Sequence, residues 1–201
     1  WSFLLYGPAG TGKTYTVRLL QQFMAKGGYN ARIFELRPHR GAGSESIGDS
    51  SRAVSNLDRV FTRAAKHGAK DSNSLSVIFI DELEGFSLQP QEALQDPIHN
   101  LLSQRLVHWL DRLSEQTNVR RVLIGATNRP QDVDKTLRRG GRFEVEIRVS
   151  KAAPAQRYQI LQESVRLPPS LLEWLCDRTT GYTPADLLAL AKDIVTTLST
   201  M

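Results

Sequence analysis

Gly7-Pro8-Ala9-Gly10-Thr11-Gly12-Lys13-Thr14 follows the apolar run Phe3-Leu4-Leu5-Tyr6 and opens the helical pattern Val17, Leu19, Leu20, Phe23 and Met24. Strand, glycine-rich turn and helix in that order read as a phosphate-binding loop. The glycines let backbone N–H groups turn inward around an anion, and the helix starting near Lys13 adds the positive end of its dipole beneath the phosphates. In this reading Lys13 reaches the β- and γ-phosphates and the Thr14 hydroxyl is a ligand of Mg²⁺. A nucleoside triphosphate is the ligand these residues imply.

A chain of 201 residues with 40% hydrophobic content can bury a real core, with room for one domain and a small appendage. No apolar run is long enough for a membrane span. The single cysteine, Cys176, lies in the pattern Leu171, Leu172, Trp174, Leu175 and reads as a core thiol. An internal disulfide is thereby excluded, and a reducing intracellular compartment fits, with no signal for a particular organelle. The chain starts at Trp1 inside an apparent strand and stops just past a helical pattern, so we read it as a segment of a longer protein with a truncated helical lid. A net charge of +5 invites a nucleic-acid reading, but the basic residues are dispersed, and nucleic acid as a partner is unsupported. Arg37-Pro38-His39-Arg40 reads as a solvated basic loop.

Further along, Arg32 to Leu36 reads as a strand, and a Gly/Ser-rich loop from Gly41 to Ser51 leads to helical spacing through Val54, Leu57, Val60, Phe61 and Ala64. Val77-Ile78-Phe79-Ile80 has the look of a buried parallel strand. A helical face through Ile98, Leu101, Leu102, Leu106, Trp109, Leu110 and Leu113 follows, then a strand from Arg121 to Ala126, a short helix near Gln131 to Leu137, and a strand around Glu144 to Val149. Five strands alternating with helices predict an α/β fold: a five-stranded parallel sheet, the core of a P-loop NTPase. From Pro154 the pattern is helical only, with segments Ala155 to Glu163, Ser170 to Asp177 and Pro184 to Leu198. The expected division is therefore an α/β core over residues 1–152 and a small all-α lid subdomain over 153–201.

The buried strand ends in Asp81-Glu82, where ligands bind in open α/β sheets. Asp81 would hold Mg²⁺, and Glu82 would face the water that attacks the γ-phosphate, as general base or water-positioner. Glu82 argues for hydrolysis over transfer to a small molecule. Asn128, in Ala126-Thr127-Asn128-Arg129-Pro130, would orient that water, provided its strand lies between the phosphate loop and the acid pair.

Gly7 to Thr14, Val77 to Glu82, Ala126 to Pro130, Leu137-Arg138-Arg139-Gly140-Gly141-Arg142-Phe143-Glu144 and Thr180-Gly181-Tyr182-Thr183-Pro184-Ala185-Asp186-Leu187 together resemble the AAA clade of the AAA+ ATPases, in order and spacing. The resemblance covers nearly the whole chain. It implies ATP and Mg²⁺ as ligands, and a ring, homo- or hetero-hexameric, with each ATP at a boundary between neighbours. Lys13, Thr14, Asp81, Glu82 and Asn128 match the Walker A, Walker B and sensor-1 positions. Gly181 joins Gly7, Pro8, Ala9, Gly10, Thr11, Gly12, Lys13 and Thr14 as a nucleotide-binding position. Arg139 and Arg142 match two arginine-finger positions that would serve the adjacent subunit's ATP. Ala185 falls near the place where other AAA+ clades put a second sensing arginine, as the AAA clade mostly does not.

The implied activity is ATP hydrolysis coupled to remodelling, unfolding or disassembly of a protein complex, with a protein substrate or adaptor as partner. One departure counts against strong threading of a polypeptide. Where many members carry an aromatic pore-loop residue, the segment Glu45-Ser46-Ile47-Gly48-Asp49-Ser50 has Ser46, with Ile47 as its bulky neighbour. Ser46 therefore keeps open a second reading, a module that binds ATP to stabilise an assembly and hydrolyses it slowly. The polar loop from Phe86 to Pro97, with Gln89, Pro90, Gln91 and Gln95, reads as solvated, or as a partner-binding insertion.

Overall fold

A computed structural model describes residues 1–38, 47–86 and 97–200, with residues 47–51 and 97–99 described by backbone. Of the pore-loop segment Glu45 to Ser50 only the backbone from Ile47 onward is described; Ser46 and the Ile47 side chain, and the loop bearing Gln89, Pro90, Gln91 and Gln95, lie outside what is described. By its contacts the chain divides into two compact units, Trp1–Tyr6 with Thr14–Arg148, and Gly7–Lys13 with Val149–Met201.

The first unit is built on five parallel strands: β1 (Ser2–Tyr6), β2 (Asn30–Leu36), β3 (Ser74–Ile80), β4 (Arg121–Thr127) and β5 (Val145–Arg148), in the order β2-β3-β4-β1-β5. The expected α/β architecture with a five-stranded parallel sheet is what the chain forms. Its helices are α1 (Lys13–Lys26), α2 (Ile47–Gly68) and α3 (Pro97–Glu115). β3 carries the apolar run Val77–Ile80 because it is interior to the sheet and buried along nearly its whole length. One core joins Leu4, Leu36, Ile78 and Leu123 of the sheet to Leu57 and Phe61 of α2 and to Leu106, Leu110 and Leu113 of α3. Asp58 ties α2 to α3, accepting from Arg105 Nε at 2.7 Å and Trp109 Nε1 at 2.6 Å. That pairing, led by Arg105, holds the Asp58 carboxyl below the usual carboxylate range.

Several local expectations change. α2 begins at Ile47, inside the stretch read as loop. The short helix near Gln131 to Leu137 is a single 3-10 turn, Pro130–Asp132, followed by bends, among them a Leu137 N–H to Asp134 carbonyl hydrogen bond of 3.1 Å. Of the apolar residues of α1 only Val17 is buried; Leu20, Gln21 and Met24 share its face, while Tyr15, Leu19 and Phe23, four residues apart, form an exposed stripe. β5 is an edge strand, exposed at all four positions.

The second unit packs α4 (Pro154–Ser164), α5 (Pro169–Arg178) and α6 (Pro184–Ser199) around Ala152, Leu161, Val165, Leu172, Cys176, Leu187 and Ala191. Cys176 is free and buried, and burial pushes its thiol up. Leu171 and Trp174 are exposed, Arg178 lying over the Trp174 ring, and Leu198 of the expected stripe is exposed as well. Arg157 is buried and, among the described residues, has no carboxylate partner. Its guanidinium donates instead to the carbonyls of Ala152 at 3.1 Å and Cys176 at 3.0 Å, tying α4 to the end of α5.

Candidate functional site

The phosphate loop belongs to the second unit by contact. Gly7, Gly10 and Gly12 have φ of 152°, 76° and 96°, so three of its eight residues sit where L side chains are strained. Space forbids a side chain at two of them. A Cβ on Gly7 would meet the Val149 carbonyl oxygen at 2.1 Å, and one on Gly10 would meet Thr183 Oγ1 at 2.8 Å and Ala185 Cβ at 3.0 Å. Thr11 Oγ1 donates to the Pro8 carbonyl at 2.9 Å, and the Lys13 ammonium donates to the Gly7 and Pro8 carbonyls, each at 2.8 Å. Lys13 is 8% exposed, so its charge is already drawn into the loop.

The start of α6 meets this loop. Ala185 N–H donates to the Gly10 carbonyl at 3.1 Å, and Thr183 caps α6 by accepting from Asp186 N–H at 3.2 Å while Asp186 accepts from Thr183 N–H at 2.8 Å. Those bonds from Thr183 hold the Asp186 carboxyl below its ordinary range. Thr183 and Ala185 are thus the α6 residues against the loop; Gly181, at φ 86°, lies in the turn that precedes them.

In the first unit the carboxyl ends of the strands carry the acids. Parallel register pairs Tyr6 with Thr127, Ile80 with Gly125 and Leu36 with Ile80, so Asp81, Asn128 and Arg37 emerge on one edge. The condition placed on Asn128 is met in the sheet, because β4 lies between β1 and β3. Asn128 is exposed there. Thr14, at the first turn of α1, donates from Oγ1 to Asp81 Oδ2 at 3.3 Å. A hydroxyl and a carboxylate oxygen at this spacing form an all-oxygen donor pair of the kind Mg²⁺ takes beside substrate phosphates. The glycine cradle fits a polyphosphate in the same way.

Glu82 has φ 51°, the one left-handed residue besides glycines among those described, at a cost of about 1–2 kcal/mol. Strain of this kind persists only where the surroundings enforce it. Here Asp81 Oδ1 accepts from Glu82 N–H at 3.1 Å, and the Glu82 carbonyl accepts from Gly85 N–H at 2.8 Å to open the 3-10 turn Leu83–Phe86. Arg37, read from sequence as a solvated loop residue, lies in this acid cluster. Its Nε donates to Glu35 at 2.6 Å and its Nη2 stands 3.6 Å from Asp81 Oδ2. Glu35 chiefly, with Asp81 and Glu82, raises its pKa above the ordinary value. A basic residue directly after a strand that neighbours an acid-ending strand is the signal that would have found it.

Arg139, Gly140, Gly141 and Arg142 form a four-residue turn closed by Arg142 N–H to the Arg139 carbonyl at 3.1 Å, with Gly141 at φ 83°. The two arginines at its ends differ. The Arg139 side chain is exposed, with no ion pair among the described residues. Arg142 makes a bidentate pair with Asp111 of α3, at 2.9 and 3.0 Å, and donates to the Thr136 carbonyl at 2.6 Å.

Comparison with known proteins bears on the whole arrangement. Residues 3–151 match the model of the ATPase family associated with various cellular activities (AAA). This chain belongs to the AAA family. AAA relatives include the Tat-binding homolog 7 of Caenorhabditis elegans, 34% identical over 96% of this chain and 14% of its own length. The Cell division control protein 48 homolog B of Arabidopsis thaliana is 34% identical over 94% of this chain and 30% of its length. The ATPase family AAA domain-containing protein 2B of Homo sapiens is 32% identical over 94% and 12%. The chain thus spans less than a third of these relatives, as an AAA ATPase module. Members of the family are typically oligomeric, and among the described residues no helix is long and apolar enough to cross a membrane.

Proposed function

We propose that this module hydrolyses Mg-ATP at a site completed by a neighbouring subunit of a ring, and that hydrolysis drives remodelling, unfolding or disassembly of a protein complex. The observation that carries the chemistry is Thr14 Oγ1 within 3.3 Å of Asp81 Oδ2, with Glu82 next in the chain at φ 51°. Gly7 to Gly12 would wrap the phosphates with backbone N–H groups, and Lys13 would exchange its loop carbonyls for phosphate oxygens, a stronger charged pairing. Thr14 and Asp81 would hold Mg²⁺, whose chemistry when bound is to offset the negative charge of the triphosphate. Glu82 would accept the proton of the attacking water, and Asn128 would orient that water from β4. Arg139, exposed and without an ion pair among the described residues, would stabilise the phosphoryl group bound by the adjacent subunit. The Ala185 to Gly10 hydrogen bond offers a route from the phosphates to the helical unit, since it joins the phosphate loop to the first turn of α6.

Ser46 at the pore-loop position favours a second reading, an ATP-binding module that stabilises an assembly with little turnover. Glu82→Gln separates the two. If hydrolysis normally resets the assembly, the variant accumulates as an ATP-loaded oligomer that the wild type forms only transiently, measured by sedimentation with ATP present. Equal oligomer in both, with equally low turnover, would favour the stabilising module.

A further inference from the structure

β2 forms one edge of the sheet, and its outward backbone groups lie beside a basic face of α2. We propose that this edge is a docking surface for an extended acidic peptide, which adds to β2 as a further strand while its carboxylates pair with Arg32, Arg59 and Arg63.

The backbone pattern comes from the ladder to β3. Asn30 N–H donates to the Asn73 carbonyl at 2.8 Å, and the Leu36 carbonyl accepts from Asp81 N–H at 3.0 Å. Residues 30, 32, 34 and 36 therefore turn their backbone groups toward β3, and the alternate residues Ala31, Ile33 and Glu35 turn theirs away. Gln21 Nε2 donates to the Ala31 carbonyl at 3.0 Å, whereas the backbone groups of Ile33 and Glu35 have no partner among the described residues. Each offers an N–H and a C=O to an added strand.

α2 supplies the charge. His67 Nε2 donates to the Asn30 carbonyl at 2.9 Å, which sets the end of the helix beside the start of the strand, so α2 runs back along β2. Between them lies a groove of about 270 Å³, lined by apolar Ile33, Phe34 and Val60 and by basic Arg32, Arg59 and Arg63. Arg59 and Arg63 stand one helical turn apart, about 6 Å along the axis, close to the roughly 6.6 Å between alternate side chains of a strand. All three arginines are exposed and have no ion pair among the described residues. The acid in the groove, Glu35, already accepts from Arg37 Nε at 2.6 Å, and Asp58 of α2 is committed to Arg105.

These charges also discriminate between occupants. A row of arginines repels a second copy of the same edge, the usual hazard of an open strand, and admits an acidic one. A nucleic-acid backbone would meet the arginines but has no use for strand-spaced N–H and C=O groups. The groove's one aromatic ring, Phe34, packs 5.7 Å from the His67 ring and is not presented as a stacking platform.

The test measures, by fluorescence anisotropy, binding of a labelled peptide of about ten residues, alternating valine and glutamate, to the full-length protein. The wild type should bind it with an affinity that falls as salt rises, and should not bind a peptide alternating valine and lysine. Arg59→Glu/Arg63→Glu should weaken binding about 10-fold or more, since two attractive pairs become repulsive. Methylating the backbone nitrogens of only the valines, or of only the glutamates, blocks one edge or the other of the extended peptide with every charge in place. One of these two peptides should lose about 10-fold in affinity or more and the other should retain it. Ile33→Pro, which removes an N–H facing away from β3, should weaken binding from the protein's side, and the methylated peptides decide the matter if that variant does not fold.

Binding that both methylated peptides retain in full would overturn strand addition. Preference for a single-stranded oligonucleotide over the acidic peptide would overturn the proposal in favour of a nucleic-acid surface. A wild type that binds no peptide, beside an Arg59→Glu/Arg63→Glu variant that no longer assembles, would overturn it by placing a neighbouring copy of the chain on this edge.

Discussion

The phosphate loop and the arginine turn are both short, glycine-bearing bends, but they are held by different means. The loop is shaped largely by its own residues, with the start of α6 braced against it. Its shape comes from three glycines at positive φ, from Thr11 and Lys13 bonding carbonyls within six residues, and from the capped start of α6. The turn is held from a distance, by Asp111 thirty-one residues earlier and by Glu146 on the edge strand. Backbone geometry of the first kind must be written in the local sequence, because only glycine adopts it cheaply. Side-chain pairing of the second kind leaves no local trace, since any exposed acid on α3 could have been the partner.

If the turn exists to present charge to a neighbouring subunit, removing Arg139 gives the largest effect. Arg139→Ala should lower kcat about 10³-fold or more with ATP affinity retained, measured by steady-state turnover and by binding of a fluorescent nucleotide. Next comes the anchor of the turn. Phe143→Ala should cost about 3–5 kcal/mol of stability, read from chemical denaturation, because it empties a fully buried site beside Gly125. A loss below about 1 kcal/mol would mean the turn is not anchored to β4. On the loop side, Lys13→Ala should weaken ATP binding about 100-fold, the scale of lost charged hydrogen bonds, while thermal stability without nucleotide changes little.

The smallest effect sharpens the contrast. Arg138 beside it holds the Glu146 carboxyl below its ordinary value. The stability this contributes is complete above the unfolded carboxylate pKa, near about 4.3, and is lost as pH falls through the lower folded value. Glu146→Gln should therefore lower thermal stability slightly at neutral pH and shrink the difference from wild type below about pH 4. A difference that grows on acidification would exclude the pair as a staple of the turn.

How far the sequence reached follows the same division. The parallel sheet was legible because β3 and β4 carry the apolar runs Val77–Ile80 and Val122–Ile124 shortly before Asp81-Glu82 and Asn128, and because loop and helix follow β1 directly. The face of α1 was misread, since Leu19 and Phe23 are apolar yet lie opposite Val17 and are exposed. The boundary of α2 was missed because Gly48, Asp49 and Ser50 are poor helix formers that the helix nonetheless includes. At the site, Thr14, Asp81 and the loop glycines could be named from spacing alone. Arg37 needed the strand order as well, since its signal is a place beside the acid-ending strand, and Asp111 could not be named, because what marks it is the guanidinium the fold brings beside it.

The measurement that tests the account most directly is steady-state ATP hydrolysis by an equimolar mixture of Glu82→Gln and Arg139→Ala full-length proteins. Each is expected to be nearly inactive alone. Sites shared head-to-tail between subunits would pair an intact Glu82 with a neighbour's intact Arg139 at about a quarter of interfaces under random mixing, restoring turnover to that order. Activity that rises with protein concentration and recovers on mixing is the predicted result. A mixture no more active than its components, in rings shown to exchange subunits, would contradict a site completed by the neighbour.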